Sequence, residues 1–398
     1  MKRIILFLFA IYSLQNVTSQ SNQILDVQFS PTGDAIAFTQ GTDHSSDLYF
    51  YSIKSDTLIK CTVASSGWKI LIREFEFSPS GDAIALILVS GVNSDIYVYL
   101  TRQNKLVKCT DLGKFNDYDL AYKTDLYWCD NHNIIFLSKH SGITQQYIVD
   151  LYDMSLKQNG ASNGPEYFLS FSPKHDESYY VSVLKYKEPS VYRRKHDSAI
   201  NVEISKDGAN HMATELSDEE NYLSYTVMPE ITPRIYDLNN SKLLKTKLPK
   251  TNVNITGWHE KDSIILYNYS HFDAEDTFSK TDLVLYNYIN HKKQIIAKDF
   301  ENSSSAALSP DGSLVVYSKF TNPDSIATGQ TETVKKYKQE NIQTLITDRN
   351  GKTTTYPFCG IINSWSKDSK SILFKTGEEI ILLDVTTGNR KLIYKLHQ

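Results

Sequence analysis

Residues 160–164 read Gly160-Ala161-Ser162-Asn163-Gly164, the spacing of a G-x-S-x-G nucleophile elbow. That motif works where a buried strand enters it and a helix leaves it, because the sharp turn between them exposes the serine hydroxyl. Here Pro165 and the apolar run 166–171 follow instead, so a Gly/Ser/Asn linker is expected rather than a nucleophile. Cys129 and His132 form C-x-x-H, half of a zinc pattern whose second half the sequence does not supply. Asp273, Glu275 and Asp276 could offer oxygens to calcium. They lack the alternate spacing and the glycine of a calcium loop, and a solvated acidic loop is the plainer reading. No metal or other cofactor is expected. One further set could abstract a proton. His132, His140 and Tyr192 are possible bases, and Arg193 and Arg194 could neutralise a uronate carboxylate, the combination that elimination on an acidic polysaccharide requires. Tyr192-Arg193-Arg194-Lys195 reads equally as a strand with a charged outer face, and spacing does not separate the two readings.

The elements that would carry these residues are announced by a phrase written twice. Residues 27–40 read VQFSPTGDAIAFTQ, and residues 75–88 read FEFSPSGDAIALIL. DLYFY at 47–51 is answered by DIYVY at 95–99, and IKCT at 59–62 by VKCT at 107–110. A repeat near this period signals stacked supersecondary units. The first copy holds four short apolar runs, at 24–29, 34–39, 46–53 and 57–62, rich in the β-branched and aromatic residues of strands. Turn residues between them imply antiparallel neighbours. A four-stranded meander cannot bury both faces alone, so copies must stack, and a β-propeller is the expected solution. First-strand anchors are Phe29, Phe77, Trp128, Phe171, Trp258, Leu308 and Trp365. The long gap from Phe171 to Trp258 holds a degenerate unit starting near residue 210. Eight blades are therefore expected, with seven as the alternative, and closure by packing of the last blade on the first without a borrowed strand.

The FSPxGDxIAF phrase followed by D-[LI]-Y resembles the TolB-like (WD40-like) propeller repeat of bacterial periplasmic proteins, which also builds the propellers of dipeptidyl-peptidase-like enzymes. The resemblance is strong in blades 1, 2, 7 and 8 and thin in blades 3 to 6. It implies a fold more than a biochemistry, because propellers host many functions. The amino terminus agrees with export. Lys2-Arg3, the apolar run 4–14 and Val17-Thr18-Ser19 read as a cleavable signal peptide (1–19) that leaves Gln20 as the new terminus and 20–398 as one domain. The expected location is the periplasm or beyond, with no transmembrane segment after cleavage.

A net charge of −4 argues against nucleic acid as partner. Protein, peptide or oligosaccharide is expected instead. Cys61 and Cys109 occupy equivalent outer strands one blade apart, a poor geometry for a disulfide. The turns between strands 1 and 2, and between 3 and 4, are short, whereas the other connections are long and irregular. The long set comprises 41–47, 63–73, 111–125, 185–190, 270–282 and 320–341. Long loops on a rigid scaffold commonly carry binding. Their candidate ligand contacts are His44, Trp68, Lys69 and Arg73 in blades 1 and 2. Phe115, Tyr118, Tyr122 and Tyr186 follow in blades 3 and 4, and His271, Phe272, Phe278 and Phe320 in blades 6 and 7. The two expectations are thus a non-catalytic binding module and, as the rival, a lyase on acidic glycans.

Overall fold

A computed structural model describes residues 22–42, 44–62, 70–91, 93–113, 126–161, 164–183, 188–205, 209–272, 279–301, 306–320, 342–356 and 360–396. The chain is all-β, an eight-bladed propeller of four-stranded antiparallel sheets. The blades span 23–60, 70–108, 126–158, 166–203, 210–243, 253–301, 306–356 and 361–395, and in each the strands lie in sequence order. Every blade is one contiguous stretch, so none borrows a strand. Eight is the correct count, and the degenerate fifth unit begins at Asn210. No helix among the described residues is long and apolar enough to cross a membrane.

Two compact units divide the chain. One holds Phe29–Thr39 and His44–Leu248. Its core is built at blade junctions. Ala85, Ile87 and Val98 of blade 2 meet Trp128, Phe136 and Val149 of blade 3, and Ile135 and Ile148 meet Leu169 and Phe171 of blade 4. These are alternate strand residues, the half of each pleat that faces the neighbouring sheet. The other unit holds Met1–Gln28, Gln40–Asp43 and Pro249–Gln398. There Leu266 and Leu283 of blade 6 pack on Val315 and Tyr317 of blade 7. Val316 and Ile346 in turn pack on Trp365 and Phe374 of blade 8. In this same unit residues 23–28 of the strand Gln23–Phe29 lie along blade 8. Ile24 N–H donates to Gly377 O at 2.9 Å, while Asn363 and Lys375 donate to the carbonyls of Val27 and Leu25. Trp128, Trp258 and Trp365 are all buried, as equivalent first-strand positions require.

The repeated phrase has a hydrogen-bond meaning. In the first turn, Ser30 Oγ accepts from Ala35 N at 3.1 Å. Ser78, Ser309 and Ser366 serve Ala83, Leu314 and Ser371 in the same way. Gly33 supplies the left-handed φ (+76°) that this turn demands. The D…K-C-T half joins the outer strands. Thr110 Oγ1 accepts from Ile96 N at 2.9 Å and donates to Asp95, which also takes Lys108 at 2.9 Å. Thr62, Leu48, Asp47 and Lys60 repeat the set one blade earlier. On the third strands, Tyr51, Tyr99 and Tyr286 hydroxyls each bond a residue five positions on, Asp56, Asn104 and His291. All three partners have positive φ. The tyrosine thereby clamps the hairpin to the outermost strand.

Candidate functional site

Blade 4 carries an arginine at the position of this tyrosine, and this places the most prominent of the sequence candidates. Arg194 stands where Tyr51, Tyr99 and Tyr286 stand in their blades, two residues before the backbone N–H that closes the third strand. It is 1% exposed. Its guanidinium pairs with the fully buried Glu166 and donates to Asn159 O at 2.5 Å, to Asn201 Oδ1 at 2.7 Å and to Tyr180 Oη at 3.0 Å. It also lies over the Tyr180 ring at 4.8 Å. Burial, and then the charge of Glu166, push the Tyr180 phenol well above its ordinary range. A planar cation with five donors is what this many-sided buried acceptor set requires. Arg194 therefore locks blade 3 to blade 4.

The other members of the elimination set are scattered. Tyr192 is buried, and desolvation followed by the Glu203 charge raises its phenol, which keeps it protonated at neutral pH. Arg193 turns to Glu177 at 3.8 Å. His132 and His140 flank opposite ends of the strand Asn133–Ser138, on the order of 20 Å apart at the rise of a strand. His140 contacts Leu112 O at 3.2 Å and meets Tyr147 edge-on. His132 stacks on Tyr152 at 4.2 Å, with its Nε2 2.9 Å from the Tyr152 hydroxyl. Sequence reading missed Tyr152, which is 76% exposed. It sits in the third-to-fourth hairpin of blade 3, one of the short turns. The available signal was an aromatic where the equivalent positions hold Lys54 and Arg102.

The first glycine of the G-x-S-x-G stretch is a packing residue. Gly160 has φ +74°, and a Cβ there would sit 2.2 Å from Ser198 O. The stretch lies between the strands Leu156–Gln158 and Glu166–Ser172, as the linker reading holds. Ser162 and Asn163 lie outside the described residues.

Several long-loop expectations are corrected because strands run further than composition suggests. Ala35–Thr42 and Ser45–Ser52 leave only residues 43–44 between them, so 41–47 is a tight connection with His44 exposed in it. Arg73 lies half-buried in the strand Ile70–Phe77, beside a bulge between Ile72 and Glu74. His271 and Phe272 end the strand Ile264–Phe272, where His271 stacks on Tyr269 and faces Asp282 at 3.7 Å. Phe320 ends Leu314–Phe320. Trp68, Lys69, Phe115, Tyr118, Tyr122, Tyr186 and Phe278 lie outside the described residues, as do Asp273, Glu275, Asp276, Cys359 and the segment 1–19. Among the described residues no cluster of His, Cys, Asp and Glu is arranged to hold a metal. Cys61, Cys109 and Cys129 are free thiols. Burial pushes Cys61 up to about 12 and Cys109 up to about 11, so neither is poised as a nucleophile at neutral pH.

No protein-family profile and no curated protein sequence matches the chain. Its fold does match solved structures. A prolyl endopeptidase aligns over 95% of this chain and 58% of its own, at 10% identity and a TM-score of 0.57. Porphyromonas gingivalis dipeptidyl peptidase 4 aligns over 83% and 51%, at 12% identity and a TM-score of 0.59. The WD40 domain of SCAP from fission yeast aligns over 92% and 96%, at 14% identity and a TM-score of 0.56. This chain thus spans little more than half the length of the two peptidases. At such identities the likeness is one of propeller architecture.

Proposed function

We propose that this protein is an exported, non-catalytic binding module on a TolB-like propeller, taking a protein, peptide or oligosaccharide ligand. The observation that carries this reading is the fate of Arg194. The residue best suited to neutralise a substrate carboxylate is sealed in a pair with Glu166, and the candidate bases His132 and His140 sit at opposite ends of a strand. The rival elimination reading keeps one foothold, the Tyr152–His132 hydrogen bond of 2.9 Å. The two turns that hold this pair, 129–133 and 150–155, carry Asp130, Asp150 and Asp153 and no Lys or Arg. A polyuronate would be repelled there. The direct test incubates the full chain with polygalacturonate and follows the ultraviolet absorbance of unsaturated product. The binding reading expects no increase above buffer, and turnover abolished by His132→Ala would replace it with the lyase. Export is tested by mass spectrometry of secreted protein, expected to begin near Gln20; retention of Met1 would contradict it.

A further inference from the structure

We infer that the paired turns of blade 3, carrying His132, Tyr152 and Met154, form a docking site for a basic peptide segment, an inference that rests on the binding-module reading. Tyr152 lays one ring face on His132, and its backbone N–H is fixed by Asp150 Oδ1 at 2.8 Å. With 76% of the residue exposed, the opposite face is a preset platform in solvent. Met154 is 43% exposed and holds φ +57°. The same left-handed hairpin position elsewhere is taken by Asp56, Asn104, Ser241, His291, Gly351 and Gly388. Those residues tolerate or relieve this conformation, whereas a long unbranched side chain does neither. Strain retained by an exposed apolar residue points to use of that residue. The next hairpin, in blade 4, brings Ile200 at 71% exposure. That hairpin is tied to blade 3 through Lys157–Asp197 at 2.9 Å and Asp197 N to Asn159 Oδ1 at 3.1 Å.

Charge selects the occupant. The two blade 3 turns hold three carboxylates and no cation of their own, and Lys157 is already paired to Asp197. The Ser155 hydroxyl and then its N–H hold Asp153 below the usual carboxylate range. An Arg or Lys side chain would place its charge over the Tyr152 ring face and beside Asp153. Its neighbouring apolar side chain would meet Met154 and Ile200, in keeping with the enrichment of Tyr and Met in protein-binding surfaces. A glycan would leave those two side chains facing hydroxyls.

The test is fluorescence anisotropy of the full chain with a short labelled peptide in which arginines flank a leucine, against the same peptide with glutamates for arginines. The arginine peptide should bind and the glutamate peptide should not. Tyr152→Ala should weaken binding about thirty-fold, and Tyr152→Phe, which keeps the ring, should retain most of it. Met154→Gly should bind less tightly yet resist urea better, because glycine accepts the left-handed backbone. A neutral oligosaccharide is titrated in parallel. The inference is overturned if neither peptide binds, if both bind equally, or if Tyr152→Ala and Met154→Gly bind like the parent. It is also overturned if only the oligosaccharide responds to Tyr152→Ala. That last result would leave the binding-module reading standing, and peptide binding unaffected by these substitutions would move it to another face.

Discussion

Replacing Arg194 by Ala should be among the most damaging single changes outside the apolar core. The substitution strands the Glu166 carboxylate, which is fully buried and, among the described residues, otherwise accepts from Gln146 N at 3.2 Å. A buried charge deprived of its partner costs about 3–5 kcal/mol. The carbonyl of Asn159 loses its donor as well, at about 1 kcal/mol, whereas Oδ1 of Asn201 keeps the Tyr180 hydroxyl at 2.8 Å, so the upper part of that range is expected. Glu166→Gln leaves the guanidinium unpaired and should cost a similar amount. The double variant Arg194→Met with Glu166→Leu removes both charges and should be no worse than either single variant, a coupling of several kcal/mol. Urea denaturation followed by fluorescence reads this directly, since Trp128 is buried in the same unit. Single variants within about 1 kcal/mol of the parent, or a double variant as unstable as the sum, would refute the assignment of Arg194 as a structural lock.

Gly160→Ala should cost well over 2 kcal/mol because the new Cβ meets Ser198 O. Gly33→Ala has the same left-handed backbone but open space and should cost about 1 kcal/mol; equal losses would deny the close approach at Gly160. Thr110→Val leaves Ile96 N–H without its buried acceptor and should cost about 1–3 kcal/mol in the same assay. Thr62→Val should match it, since Thr62 accepts from Leu48 N in the same way. Cys61 and Cys109 are raised from 9.0 in the folded state to about 12 and about 11. The stability they contribute is intact below pH 9 and is lost as pH rises toward the folded values. Iodoacetamide at mildly alkaline pH should therefore label them only after denaturant is added, and rapid labelling of native protein would contradict their burial.

Much of the scaffold was legible because the repeat couples turn chemistry to strand alternation in one phrase. Ser30, Gly33 and Asp34 specify a turn and Asp47, Lys60 and Thr62 an outer-strand bridge, so recurrence of those letters reports recurrence of the bonds. The fifth blade was legible from its strands alone. Strand ends were not. Nothing in GTDHSSD says that the ladder continues to Thr42 and resumes at Ser45, because pairing there depends on the partner strand more than on its own composition. The candidate site was harder still. Arg194 reads as a charged outer residue until its tertiary partners Glu166, Asn159 and Tyr180 are seen, and these lie 14 to 35 residues away. Tyr152 and Met154 were passed over because a short turn reads as inert by length, while their interest lies in which residues occupy it.

The first strand has a further consequence for biosynthesis. Its side-chain partners in blade 8 and the Tyr394–Gln40 hydrogen bond join residues separated by 336 to 354 positions. Contacts between neighbouring blades can form as the polypeptide emerges, but this pairing must wait for Asn363, Lys375 and Tyr394, and loop-closure entropy makes it the slowest kind of contact to gain. Until then the carbonyls of Leu25 and Val27 lack these donors and remain a sticky border. A product interrupted before Asn363 never covers that border. Pairing of this strand with blade 8 is thus a late event, set by the sequence distance between its partners.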